Sequence, residues 1–393
     1  MRAGDLGSAT RAGGRPAVLR RLRCVSRTAA ALVDVEEVRP RVDAVLARYV
    51  DSERDLLTTF GPDSAALTDA VAQMLSGGKR LRAAFCYWSF RAHGGEPGTA
   101  EADAVLGVGA ALELFQAAAL FHDDVMDASD TRRGLPAAHR TFAGLHERSG
   151  WSGSADRFGE AAAILLGDLT LVASESQFSR ATAVLPPDLT SRARAVFDLM
   201  RTEVTAGQYL DVLAQAMPWG EDPAADERRA REVIRAKSAR YSVEHPLVLG
   251  AALAGAGGSA RVTCSSFGLP LGEAFQLRDD LLGVFGDPAA TGKPAGDDVR
   301  EGKRTVLVAR AMAAGDDAQR AALRSRLGVR DLPDDDVAVV AEVIRRTGAH
   351  EEVEQLIDRL SATAFHALAS APLAEPGKSM IAELAHAAVD RTA

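Results

Sequence analysis

Apolar residues return every third or fourth position along most of this chain. In "VEEVRPRVDAVLARYV", from Val35, and "EEVEQLIDRLSATAFHAL", from Glu351, that spacing gathers them on one face of a helix. The alternation that marks strands is nearly absent. Breakers separate the periodic stretches, among them "SGGKR" at 76–80, "HGGEPGTA" at 93–100 and "GDPAATGKPAGDD" at 286–298. Their glycines and prolines end helices. No short-period repeat and no low-complexity linker divides the body. The pattern predicts one all-α domain over residues 34–393, a large helical bundle around a central cavity. Residues 1–33 are rich in Arg and Gly and nearly free of acids; a tail without a core of its own is expected there.

Composition sharpens this reading. Hydrophobic residues make up 47% of the 393 positions and aromatics only 5%, so alanine, leucine and valine carry the core. The first two are strong helix formers. The net charge of −8 speaks against a general nucleic-acid binder, which carries a basic face. Cys24, Cys86 and Cys264 are far apart and give neither metal-ligand spacing nor a disulfide framework. The early residues contain no long apolar segment of the secretory kind, and a cytoplasmic location is expected. The stretch 104–121 is the most membrane-like, but it contains Glu113 and Gln116 and runs into acids. A charge inside a spanning helix is costly, so a buried core helix is expected rather than a membrane span.

Candidate chemistry begins where that helix ends. "HDDVMDASDTRRG", from His122, crowds four aspartates into eight residues and follows them with Arg132 and Arg133. Asp123 and Asp127 lie four apart, on one face, where like charges repel. They also sit at a helix C-terminus, where the macrodipole disfavours them. A cation bound there resolves the conflict, and magnesium prefers such oxygen ligands and shares its shell with phosphates. A second apolar helix repeats the device: in "EAFQLRDDLLGVFGD", from Glu273, Gln276, Asp279 and Asp280 share a face. Two such helices across a bundle can hold cations between them. By contrast, Asp334–Asp336 open a helix just after Pro333 and read as N-terminal caps.

Cationic residues recur beside these acids. Lys79, Arg80 and Arg82 follow two glycines at a helix start, which favours anions. Arg132 and Arg133 offer forked donors suited to phosphate. Lys237 interrupts a helical pattern, and Lys293 and Lys303 flank a Gly-rich loop after the second acid helix. "GQYLD" adds Gln208 and Asp211 on a helix able to line the same cavity. Together these suggest a polyphosphate held by metals on one side and by Lys and Arg on the other. His122, beside the acids but off their face, reads as a packing residue.

From about residue 35 on, these ordered motifs resemble the trans-isoprenyl diphosphate synthases, or polyprenyl synthetases. "GGKRLR" is similar to the family's first motif and implies that Lys79 and Arg82 bind isopentenyl diphosphate, with Gln116, seven residues before Asp123, contributing. "DDVMD" resembles the first aspartate-rich motif, which implies Asp123 and Asp127 as magnesium ligands and Asp124 beside them. The trailing arginines imply Arg132 for the allylic diphosphate and Arg133 for isopentenyl diphosphate. "KSARY" resembles K-T-x-x-Y, with Ser238 for the usual Thr next to Lys237. "FQLRDD" resembles the second aspartate-rich motif and implies Gln276 near the reacting carbon and Asp279 as a ligand. Lys293 and Lys303 correspond to the lysines that follow it. One departure stands out: Gly283 occupies the position of a third aspartate.

The resemblance implies an all-α isoprenoid-synthase fold, a homodimer and about three magnesium ions acting as Lewis acids on the departing diphosphate. It implies head-to-tail condensation of isopentenyl diphosphate with an allylic diphosphate. Short-product members place aromatics four or five residues before the first Asp. Here Ala119 and Ala118 stand there, and the next turn back holds Phe115. One helical turn is about 5 Å, near one extended isoprene unit, so a geranylgeranyl product is expected. A terpene cyclase of the same fold needs no isopentenyl site and would leave Lys79, Arg82, Gln116 and Arg133 without purpose. A non-catalytic subunit would have lost motif residues that this chain keeps.

Overall fold

The periodic stretches fold as their spacing predicts. The structure, a computed structural model, describes residues 32–220, 222–286 and 296–390. Nearly every element in it is helical. The central element is the apolar helix Ala100–Met126, capped by the Thr99 hydroxyl accepting from the Ala102 amide at 3.2 Å. We call it the first acid helix. It packs along Ala155–Thr182 on one side and Leu81–Ala92 on the other. Small residues set these approaches: a β-carbon added at Gly109 would lie 2.8 Å from Ala83 Cβ. The helix is long and apolar enough to cross a membrane, yet its most apolar window is 83% buried inside the protein. Its one mid-helix acid, Glu113, pairs with the buried Arg80 at 3.3 Å.

The second acid helix, Gly258–Phe285, packs on Ala349–Ser370 and on a stretch of π-helix, Ile234–Glu244. That wider helix also rests on Pro187–Ala216. The core between these layers buries Phe85, Tyr87, Trp88, Phe121, Phe178 and Phe197 almost completely. Each large side chain withdrawn from water contributes about 1.5–3 kcal/mol.

Two expectations need correction. Leu32 and Val33 are 2% and 0% exposed, so the packed body begins at least two residues before position 34. Tail composition marks the absence of a core but does not locate its edge. The remainder of the expected tail, residues 1–31, lies outside the described residues. Asp334–Asp336 do not cap their helix by side-chain hydrogen bonds, because Pro333 takes the cap position. They fill the first turn instead, where the macrodipole favours acids, and Asp334 and Asp336 pair with Arg300 at 2.6 Å and Arg326 at 2.7 Å.

Candidate active site

The first acid helix delivers Asp123 and Asp127 at its C-terminal end, with Ala128 in the left-handed region (φ 51°) turning the chain away. Burial alone would push the Asp123 carboxyl up. Lys237, Lys303 and Arg132 outweigh it and hold the group below the usual carboxylate range. Lys237 Nζ donates to Asp123 Oδ1 at 2.9 Å and to Asp211 Oδ2 at 2.6 Å, and Gln208 Nε2 donates to the same Asp123 oxygen at 3.0 Å. Burial opposes the Lys237 charge, but Asp123 and Asp211 more than compensate and keep it ammonium. Asp127 differs. Burial, and then the charge of Asp123, push its carboxyl up to about 6. Its side chain is 1% exposed, and although Lys303 Nζ lies 3.2 Å away, neither oxygen accepts a hydrogen bond.

Lys303 joins the first wall to the second. Its ammonium lies 2.7 Å from Glu301, 3.2 Å from Asp127 and 3.6 Å from Asp298. On the second acid helix Asp280 is 6% exposed and accepts from Gln276 Nε2 at 2.8 Å. Burial and then Asp298 raise its carboxyl to about 8. Asp279 is half-buried beside it. Lys303 therefore stands between the end of the first acid helix and the Asp298 carboxylate, which lies against Gly283 of the second. Lys293 lies outside the described residues.

The basic side of the cleft is built by a two-residue hairpin that the sequence did not reveal. Thr131–Arg132 pairs antiparallel with Leu135–Pro136. Arg133 and Gly134 turn with φ of 54° and 75°, the twist that tight hairpins need. The "RG" dipeptide was the one local signal for it. The hairpin sends Arg132 back to Asp124, where Nε donates to Oδ1 at 2.8 Å and Nη2 meets the same oxygen. Asp124 thus orients Arg132. Arg133 donates to the Ser76 and Met74 carbonyls at 2.7 and 3.1 Å, which joins the hairpin to the "GGKR" loop.

In that loop Lys79 is exposed and Arg82 is half-buried. Arg82 donates to Gln116 Oε1 at 2.8 Å and to Ser242 Oγ at 3.0 Å, and its guanidinium lies 4.2 Å over the Tyr241 ring. Arg80 points away from the cleft, 6% exposed and bound to Asp43 and Glu113. Ser238 is half-buried on the π-helix beside Lys237. Deeper along the first acid helix, Phe115 meets Tyr241 edge-on, with ring centres 5.5 Å apart. Ala118 is buried and Ala119 half-buried. His122 turns instead toward the helix Ala155–Thr182, with Nε2 3.2 Å from the Ile164 carbonyl. A separate cleft of about 440 Å³, lined by Tyr49, Asp103, Gly107 and Arg180, lies at the opposite end of the first acid helix and contains none of the motif acids.

These groups fit magnesium. The donors are all oxygens, and Asp127 has two buried lone-pair sites without a donor. Among the described residues, no three candidate ligands converge into a cage made by protein alone. Magnesium suits that arrangement, because it is held by one or two carboxylates together with substrate phosphates. Asp298 and Glu301 gave no signal in the sequence, although both stand in "DDVREGKRT" beside Lys303. Their helix, Asp297–Glu301, is too short to show a periodic pattern, and only folding back places them against the cleft.

The class follows from this arrangement of an all-α bundle with two facing acid walls and an adjoining basic site. Residues 64–345 match the family model described as "Polyprenyl synthetase", and the chain belongs to that family. It is 34% identical to a short chain isoprenyl diphosphate synthase of Methanothermobacter thermautotrophicus over 70% of this chain and 75% of the relative. It is 29% identical to a geranylgeranyl diphosphate synthase of Sulfolobus acidocaldarius over 77% and 84%. Among solved structures, a geranylgeranyl pyrophosphate synthase from Corynebacterium glutamicum, complexed with isoprenyl diphosphate and magnesium, superposes with a TM-score of 0.83 and 37% identity, covering 92% of this chain and 99% of that one.

Proposed function

We infer that this chain is a prenyltransferase that condenses isopentenyl diphosphate head-to-tail with an allylic diphosphate, with magnesium as cofactor and geranylgeranyl diphosphate as product. The observation that carries the reading is the cleft itself, where Lys303 spans from Asp127 to Asp298 and a separate basic pair, Arg82 and Arg133, stands beside it. One cation site and one basic site suit two diphosphates with different fates.

Asp123, Asp127 and Asp279 would hold magnesium, which when bound would supply charge neutralisation for a departing allylic diphosphate. Arg132, oriented by Asp124, and Lys237, held between Asp123 and Asp211, add fixed positive charge where negative charge develops. Lys79, Arg82, Gln116 and Arg133 fix the second diphosphate, so that its double bond lies over the allylic carbon and the attack is effectively intramolecular. Lys237, Ser238 and Gln276 line the region of the carbocation. The allylic carbon–oxygen bond breaks to leave the carbocation, the isopentenyl double bond then forms the new carbon–carbon bond with it, and the released diphosphate accepts the proton then lost. Apolar helices exclude water from the cation. The growing chain runs down the first acid helix toward the buried pair Phe115 and Tyr241. Phe115 lies one helical turn below Ala118 and Ala119, about 5 Å, which leaves room for one isoprene unit more than a ring at those positions would allow. A homodimer fits the apolar side chains exposed on Ala155–Thr182, including Leu165 at 61% and Val172 at 68%. A cytoplasmic site of action fits free, buried Cys86 and Cys264.

The test is direct. Purified protein with labelled isopentenyl diphosphate and each of three allylic primers should give a geranylgeranyl chain on chromatography, and chelating magnesium should abolish it. Turnover of an allylic diphosphate without uptake of isopentenyl label would refute the condensation and favour a cyclase.

A further inference from the structure

The π-helix Ile234–Glu244 brings Lys237 to the cleft, and its last turn is closed by an unusual pair. The His245 amide donates to the Arg240 carbonyl, five residues back, where an α-turn would span four. The side chains of the same two residues meet on one acceptor. Glu203, on the helix Pro187–Ala216, accepts from Arg240 Nη1 at 2.6 Å through Oε1 and from His245 Nε2 at 2.7 Å through Oε2. The His245 side chain is 5% exposed and that of Glu203 21%. In an α-helix, residues five apart point about 140° away from each other round the axis. The wider π-turn brings them to one side. Pro246 follows directly. It has no amide to give, and its ring crowds the carbonyl four residues back, so a plain α-turn is costly here. The proline disfavours that turn without fixing the one that replaces it.

Glu203 sits on the helix face that reaches Lys237. Gly207 is one turn on, and a β-carbon there would lie 2.4 Å from the Lys237 amide nitrogen. Asp211 is a second turn on and accepts from Lys237 Nζ at 2.6 Å. We propose that Glu203 is a positioning residue for the prenyl transfer: by clasping Arg240 and His245 it selects the π-turn over the α-turn, and the π-turn sets where Lys237 stands. The proposal rests on the condensation function proposed for the cleft. Closing that turn at four residues instead of five would rotate the residues before it by about 100°. Lys237 would then leave its partners, Asp123 and Asp211. A pair serving stability alone has no need to join the two residues whose backbones close the wide turn.

The experiment measures condensation of labelled isopentenyl diphosphate with an allylic primer by the full-length protein, with a melting curve for every variant. Glu203→Ala should lower kcat by about 100-fold, the effect of small misplacements at a reacting centre. Glu203→Gln should stay within a few-fold of the unaltered protein, since its amide still offers an acceptor to Arg240 and a donor to His245. Lys237→Ala separates this from a structural effect. If Glu203 acts through Lys237, the two losses do not multiply, and the double variant is about as slow as Lys237→Ala alone. Losses that multiply, a Gln variant as slow as the Ala variant, or an unchanged kcat in folded Glu203→Ala each overturn the proposal and leave the condensation standing. If Glu203→Ala fails to fold, Arg240→Ala decides, because its side chain is 37% exposed and opens the clasp from the outer side. A loss there that does not multiply with that of Lys237→Ala supports the proposal, and an independent loss or none overturns it. No uptake of isopentenyl label by the unaltered protein, with any primer, overturns the condensation function and the proposal with it.

Discussion

Glu113 lies in the middle of the most apolar helix of the chain, and its place there depends on Arg80. Both side chains are nearly inaccessible, at 4% and 6% exposure, and 3.3 Å apart. Among the described residues Glu113 has no other ion-pair partner, so Arg80→Ala strands a buried carboxylate and should cost about 3–5 kcal/mol, read as a shifted midpoint in urea unfolding. Asp280 carries the opposite kind of burden, since burial and Asp298 hold its carboxyl near 8 against about 3.9 in an unfolded chain. The folded state then binds the extra proton, so the contribution to stability is full at low pH and lost progressively as pH rises from about 4 to about 8. Asp279 and Asp298 reinforce the upward shift, while Gln276 and Lys303 oppose it. In metal-free buffer Asp280→Asn should therefore lose less stability than the unaltered protein between pH 5 and 8, measured by urea unfolding at each pH. At this scale the sequence singled out Asp123, Asp127, Lys237 and Asp279 as candidates, because acids and lysines interrupting apolar helices conflict with local rules. The Arg80–Glu113 pair was not legible, because 33 residues separate its members.

Lys237 is delivered by a π-helix, and periodicity gave no sign of one. Such wide turns are rare and concentrate at functional sites. Here two neighbouring helices press on it through glycines. A β-carbon at Gly207 would lie 2.4 Å from the Lys237 amide nitrogen, and one at Gly272 would lie 2.3 Å from the Ala239 carbonyl. Gly207→Ala should therefore cost about 1–3 kcal/mol by overpacking. It should also lower kcat by about 100-fold through displacement of Lys237, since small misplacements have that effect. Steady-state kinetics beside a melting curve separate the two. Helix existence and type were legible from spacing and breakers. The π-turn, the Arg133–Gly134 hairpin and the pairing of Asp334 and Asp336 were not, because each is settled by neighbours rather than by the local pattern.

At the scale of the whole molecule, product length and assembly depend on surfaces that several helices build. If the growing tail runs down the first acid helix, a ring at Ala119 or Ala118 blocks it one turn above Phe115. Ala119→Phe or Ala118→Phe should shift the product toward farnesyl, read by chromatography of the dephosphorylated chain; an unchanged length would move the tunnel floor elsewhere. If the exposed face of Ala155–Thr182 joins two copies, Leu165→Glu with Val172→Glu should halve the mass in analytical ultracentrifugation. The sequence by itself determined the helical class, the two acid-bearing helices and the basic motifs, because period, breakers and charge conflicts are properties of neighbouring residues. Only the tertiary structure decided that Lys303 spans both walls, that Arg80 and Glu113 neutralise each other, and that Asp298 fills the space at Gly283. Those relations join residues far apart in the chain, and no local rule of spacing brings their side chains together.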